Sequence, residues 1–264
     1  MIDTHTHLYL DDYKKDDPDG CAKAVDRAIT AGVSLMILPC VDIESATLLA
    51  DLHNRRPDST YTAMGLHPTE VGEDWREEIE GITSILLPTK PVAIGETGID
   101  RHYGDENLSM QKEAFVEQLL TGVREHLPVI IHCRDGVEEC CECIEKAKAA
   151  VSPEPLTRLI FHSFTGTPED VRRIREVCDP YFGINGVVTF KNSGKVPESV
   201  KEIGIGRIVL ETDAPWLSPV PLRGRRNESA NIPYINDKIA ELLGLTPSEV
   251  SEATDRNAKE IFGI

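Results

Sequence analysis

The sequence predicts an α/β fold, a single-domain (β/α)8 barrel of the TIM type, on three observations. Short apolar runs rich in Val, Ile and Leu alternate with longer amphipathic stretches from one end of the chain to the other. The runs are near-continuous rather than alternately polar, which is how strands of a parallel sheet read when both faces are buried. Eight such units follow one another within 264 residues, with no linker, low-complexity tract or composition break between them, and one barrel domain takes about 250 residues. A doubly wound open sheet shares the alternation, and strand count alone does not separate the two.

In chain order the strand candidates are MIDTHTH, VSLMILPCV, YTAMGLHP, PVAIGETGID, PVIIHC, RLIFHSF, YFGINGVV and RIVLETDAPW. The first places Asp3, His5 and His7 on one face, because successive strand residues point to opposite sides. Between the strands lie helical stretches. CAKAVDRAITAG stops at Gly32, ESATLLADLHNRR follows Asp42, and DENLSMQKEAFVEQLLTGVREH follows the fourth strand. TPEDVRRIREVC has Thr167 as cap and Pro168 as first helical residue. IPYINDKIAELLG and TPSEVSEATDRNAKEIFG close the chain, and residues 1–264 read as one domain.

The stretch GVEECCECIEKAKAA has Cys140 and Cys143 at CxxC spacing. No second CxxC completes a tetrahedral site, and Val137, Cys140, Cys141, Ile144 and Ala147 share one face of a helix. Core packing is the expected role, since free cysteine behaves as a small hydrophobe. With no export signal, the seven cysteines read as reduced thiols and the protein as cytoplasmic. No apolar run approaches a membrane span. The formal charge of −17 argues against broad electrostatic gripping of nucleic acid, though a bound cation can reverse the local sign.

Chemistry gathers where the strands end. The first ends in His5 and His7, the third in His67, the fourth in Glu96, the fifth in His132, the sixth in His162 and the eighth in Asp213. In a barrel these ends converge on one mouth, where active sites of the fold are built. Five of the eight histidines sit there. Core packing does not produce this, because each buried polar group would need its own partner. A metal site of imidazoles and carboxylates is the expectation.

The blocks DTHTHL, GLHP, AIGETGID, PVIIHCRD, FHSFTG, NGVVTFKN and ETDAPWLSPVPLRGRRNESAN, in this order, resemble the TatD family of metal-dependent deoxyribonucleases, within the amidohydrolase-like barrels. The resemblance spans residues 2–264. GETGID and ETDAPWLSPVP are specific to that family, whereas HxH on a first strand is shared by many barrel hydrolases. The family's RGxxNxP has proline where this chain has Ser229, a departure expected to loosen the loop without removing a ligand.

The resemblance implies two divalent cations, of Mg, Zn or Mn. His5, His7 and Asp213 would hold one, His132 and His162 the other, and Glu96 would bridge them. A carboxylate can bridge two cations about 3.5–4 Å apart, and water shared between them is acidified. Asp213 is the candidate general base, and Asp3 is placed to orient a ligating histidine from behind. For His67 two readings stand: a catalytic contact to substrate, as phosphate ligand or proton donor, or a structural role. Arg134 is a candidate phosphate clamp, with Asp135 beside it, and Asn185 a candidate hydrogen-bond donor to substrate. Asp100 is expected to brace the loop after Glu96. Arg223, Arg225 and Arg226 are either an anion-facing patch, with Arg223 touching substrate, or a solvated loop; in a third reading Arg223 pins the loop backbone.

These readings favour hydrolysis of phosphodiester bonds in DNA or RNA, exonuclease-like, by a monomer or small homo-oligomer with no membrane partner. The alternatives are C–N or ester hydrolysis, of the amidohydrolase or aminoacyl-tRNA deacylase type, and a metal-dependent binding barrel without turnover. Glu96 stands where the best-known amidohydrolases carry a carboxylated lysine, which moves weight away from the first.

Overall fold

A computed structural model describes residues 1–15 and 17–264. Eight strands lie in one parallel sheet in the order of the sequence. They are β1 (Ile2–Asp3), β2 (Leu35–Pro39), β3 (Thr60–Met64), β4 (Ala93–Asp100), β5 (Val129–Arg134), β6 (Leu159–Phe161), β7 (Tyr181–Ile184) and β8 (Ile208–Leu210). Each expected strand is present, and all but β5 are shorter than their apolar runs. No ladder joins β8 to β1, but the segments beyond them close the ring. Thr4 N donates to Leu210 O at 3.0 Å, Asp213 N to His5 O at 3.0 Å and His7 N to Ala214 O at 2.7 Å. On its other side this segment is tied to β2, where Thr6 N donates to Ile37 O at 3.1 Å.

The helices are α1 (Gly20–Thr30), α2 (Ile43–Arg55), α3 (Trp75–Leu86), α4 (Leu108–Glu125), α5 (Val137–Val151), α6 (Pro168–Val177), α7 (Val196–Ile203), α8 (Ile232–Leu243) and α9 (Pro247–Phe262). Asp42, Thr167 and Thr246 start α2, α6 and α9 with reciprocal capping boxes, each satisfying amide groups that a helix start leaves free. The apolar residues divide into two cores. One residue from every strand (Ile2, Ile37, Ala63, Ala93, Ile130, Ile160, Tyr181 and Val209) packs with Ala258, Ile261 and Phe262 of α9. Asn257 of α9 also donates to Ile208 O at 2.8 Å, at the start of β8. So α9 plugs the N-terminal end of the barrel and leaves the other end for chemistry. The larger core lies between the strands and the helical ring.

The cysteine helix is α5, and Cys140, Cys141 and Cys143 are buried. Burial pushes the Cys141 thiol up to about 12 and that of Cys143 to about 11. All seven cysteines are free, and among the described residues none belongs to a group that could hold a metal. No described helix is long and apolar enough to cross a membrane.

Candidate metal centre

Glu96 is the hub of the barrel mouth. It sits inside β4, which runs on to Asp100, rather than at the strand's end. The pairing of β4 with β5 shifts register between Ile94 and Thr97, and this irregularity turns the Glu96 side chain to the axis. Gly95 makes it possible. Its φ is +151°, and a Cβ there would lie 2.8 Å from the Ile130 side chain of β5.

The two oxygens of Glu96 face different imidazoles. Oε2 is 3.1 Å from His5 Nε2 and 3.9 Å from His7 Nε2. Oε1 is 2.5 Å from His162 Nε2, 2.8 Å from His132 Nδ1 and 3.4 Å from His67 Nε2. The ring nitrogens also crowd one another. His5 Nε2 and His7 Nε2 are 3.2 Å apart, as are His132 Nδ1 and His162 Nε2, and His67 Nε2 is 3.1 Å from His132 Nδ1. Asp213 stands slightly back, its Oδ1 3.7 Å from His7 Nε2 and 3.9 Å from His5 Nε2. Its backbone is in the left-handed region, φ 54°, as is that of Ser163 beside His162, φ 47°. Such conformations are uncommon outside glycine and collect at functional sites.

Electrostatics agree with a cation site. Burial pushes Asp213 up to about 7 and Glu211 up to about 8. His5 is pulled down by burial, but Glu96, Glu211 and Asp213 outweigh this and raise it to about 9. His132 is likewise raised to about 9, by Asp100 and Glu96 against its burial. Burial holds His162 down, to about 3. Asp213 and Glu211 are thus carboxyl groups buried beside Glu96, Asp3 and each other, with their charged forms disfavoured unless positive charge is supplied. Ring nitrogens of His5, His7, His67, His132 and His162 crowd the same space, with neighbours 3.1–3.2 Å apart. Divalent cations fit both features.

Residues behind the ligands select their tautomers. Tyr9 OH donates to Pro39 O at 2.7 Å, so it must accept from His7 Nδ1–H, also at 2.7 Å, which leaves the Nε2 lone pair for the site. His132 Nε2 is 2.9 Å from Asp100 Oδ2, which frees its Nδ1 in the same way. Asp100 was expected only to brace a loop; it also accepts from His102 N at 2.8 Å and so does both. Ligand-orienting partners of this kind typically contribute 10–100-fold in metal affinity. Tyr9→Phe is expected to weaken metal binding by about that factor without loss of helical content, as read by chelator competition and circular dichroism. A variant with native affinity would remove Tyr9 from this role.

Other expectations resolve differently. Asp3 touches no imidazole. Its carboxylate accepts from His5 N at 3.3 Å, Thr212 N at 3.0 Å and Thr212 Oγ1 at 2.6 Å, so it joins the two ends of the barrel ring and orients the His5 backbone. His67 lies within the group His67, Glu96 and His132 that could hold a metal, a ligand position not foreseen for it. Arg134 and Asp213 line the mouth cavity, of about 590 Å³. Asn185 is buried away from it. Its Oδ1 accepts from Val187 N at 3.1 Å and its Nδ2 donates to Ser163 Oγ at 2.7 Å, which positions Ser163 instead. The Arg223 guanidinium stacks on Phe190 at 3.8 Å, and Arg226 covers Tyr13 while donating to Asp12 O. Ser229 does not loosen its loop. It is fully buried, and its hydroxyl donates to Thr6 Oγ1 at 3.3 Å, next to the HxH pair.

Glu211 is the residue that sequence reasoning passed over. It is fully buried, with Oε1 accepting from Ser163 N at 2.6 Å and lying 3.9 Å from His162 Nδ1. Its Oε2, His162 Nδ1 and His5 Nδ1 have no hydrogen-bond partner among the described residues. A glutamate inside the apolar run RIVLETDAPW was the available signal, because a buried carboxylate in a strand needs a reason.

An eight-stranded parallel barrel with an imidazole–carboxylate mouth defines the class of metal-dependent hydrolase barrels. The model of the family described as TatD related DNase matches residues 2–263. The chain belongs to this family. It is 34% identical over 265 residues to the "Uncharacterized metal-dependent hydrolase YabD" of Bacillus subtilis, covering all of this chain and 99% of that one. It is 32% identical over 272 residues to the "3'-5' ssDNA/RNA exonuclease TatD" of Citrobacter rodentium, covering all of this chain and 98% of that protein. Among solved structures, the TatD homologue YJJV of Escherichia coli superposes with a TM-score of 0.86 at 25% identity, covering all of this chain and 98% of that one.

Proposed function

We propose that this protein is a phosphodiesterase that removes nucleotides from an end of single-stranded DNA or RNA, with two divalent cations bridged by Glu96. One observation carries the two-cation reading: the carboxylate oxygens of Glu96 face separate sets of ring nitrogens, His5 and His7 on Oε2, and His132, His162 and His67 on Oε1. Cations bound there supply Lewis acidity to a phosphoryl oxygen and lower the pKa of water. Asp213 is the base. Its carboxylate makes no hydrogen bond to another described residue and is 15% exposed, against 3% for Glu96, so it can take a proton from water entering the mouth. Arg134 lines the same cavity and forms no ion pair among the described residues, which leaves its guanidinium for a phosphate. Glu96 is buried and borders an inner recess with His132, His162 and Asp213 rather than the open groove, which favours a strand entering by its end. The name of the Citrobacter relative supports the same choice of substrate.

The test is a substrate panel on metal-stripped protein, adding Mg, Mn or Zn one at a time. Single- and double-stranded DNA and RNA labelled at either end are compared with amide and ester substrates. Stepwise release of nucleotides from one end of a single strand is expected. Hydrolysis of an amide or carboxylic ester with every oligonucleotide left intact would overturn the reading.

A further inference from the structure

We propose that Trp216 and Tyr103 form a base-stacking platform that grips the terminal bases of a single strand and draws it to the metal centre. The choice of ligand rests on the phosphodiesterase reading. Exposed aromatic surface is scarce here, yet Tyr103 is 77% and Trp216 51% exposed, and both line the mouth cavity with Arg134 and Asp213. Burying neither ring leaves a large apolar face in water, which calls for an occupant.

The platform is rigid on one side. Trp216 N donates to Asp213 O at 3.0 Å, and Trp216 O accepts from Asn227 Nδ2 at 2.7 Å, so its backbone is tied to the candidate base and to a fully buried asparagine. Its ring stands edge-on to His7, with centroids 5.3 Å apart, and it also borders the inner recess lined by Glu96, His132 and His162. The indole therefore separates the ligand cluster from the open groove. A base stacked on its free face would hold the neighbouring phosphate near Asp213. Across the groove, the Arg134 guanidinium lies 6.0 Å from the Tyr103 ring, which places a cation beside the second aromatic face.

Charge favours stacking. A chain of net charge −17 repels a polyanion at long range. Contacts that salt does not screen then add affinity beside Arg134 and the cations, and base–aromatic stacking is such a contact. It also selects single strands, because bases paired within a duplex do not offer a free face.

Two measurements test the platform, on an oligothymidylate and on the same strand with its terminal three nucleotides abasic. Trp216→Ala and Tyr103→Ala are each expected to raise KM on the intact strand about 10-fold, leaving KM on the abasic strand where it was, with Trp216→Phe and Tyr103→Phe largely restoring it. The second measurement needs no turnover. The protein has two tryptophans, and Trp75 is buried, so quenching of fluorescence by a phosphorothioate oligothymidylate with Mg present reports on Trp216. Quenching without cleavage of any strand would sink the phosphodiesterase reading and keep the stacking site. Cleavage with no quenching, and with equal KM on the two strands in every variant, would sink the platform and keep the reading. Neither quenching nor cleavage overturns both.

Discussion

Glu96→Gln is expected to lose one of two tightly bound cations per chain together with about 10³-fold or more of turnover. The amide is nearly isosteric, so the side chain still reaches the point where His162 Nε2 at 2.5 Å, His132 Nδ1 at 2.8 Å and His5 Nε2 at 3.1 Å now meet the carboxylate. What changes is charge and the second acceptor. A glutamine presents one carbonyl oxygen to one group of imidazoles and turns its NH₂ towards the other, where lone pairs already crowd. Metal-ion stabilisation of developing phosphoryl charge is worth several kcal/mol, which converts to about 10³-fold in rate. Elemental analysis after gel filtration gives the metal count, and release of labelled nucleotide gives the rate. A variant holding two cations and turning over at a native rate would show that Glu96 bridges nothing.

Asp213→Asn is expected to separate binding from chemistry. Asp213 stands 3.7 Å and 3.9 Å from the nearest imidazoles, further out than Glu96, and it lines the open cavity. The asparagine keeps the shape and one oxygen, so at least one cation should stay. It does not accept a proton from water, and loss of a general base typically costs 10²–10⁴-fold. Turnover is expected to fall by that order while metal content stays at or above one per chain. The two variants are therefore expected to fail differently, one in metal and rate together and the other in rate alone. Near-native nucleotide release by Asp213→Asn with full metal would assign proton removal to another group.

His67 shows how the two levels of reading divide. In the sequence it was a histidine in GLHP with two roles open. The fold brings its Nε2 to 3.4 Å from Glu96 Oε1, on the side of His132 and His162, and turns its Nδ1 to Thr69, whose hydroxyl oxygen is 2.7 Å away. Thr69 Oγ1 donates to Glu70 Oε1 at 2.8 Å, so it accepts from His67 Nδ1–H, which leaves the Nε2 lone pair facing the site. Spacing along the chain does not contain that information.

By itself the sequence determined eight βα units and the polar residues at their strand ends; the ring closure between the first and last strands is tertiary. Each βα unit is a local signal, and the apolar period, the capping residues Asp42, Thr167 and Thr246, and the polar residue at a strand's end are all legible within about a dozen positions. Parallel strands joined by helices then bring those ends together whatever the distance between them in the chain. Only the tertiary structure decided which atoms face which. The partition of Glu96 between two groups of nitrogens, the tautomer set by Tyr9 through Pro39, the clasp of Asp100 on His132, and the tie from Asp3 to Thr212 join residues 29 to 209 positions apart. The departures from expectation have the same origin: Asn185 and Ser229 had inward partners, Ser163 and Thr6, that no local pattern announces. A side chain's partner across a barrel depends on register, rotamer and close backbone approach, and these exist only once the strands have been placed.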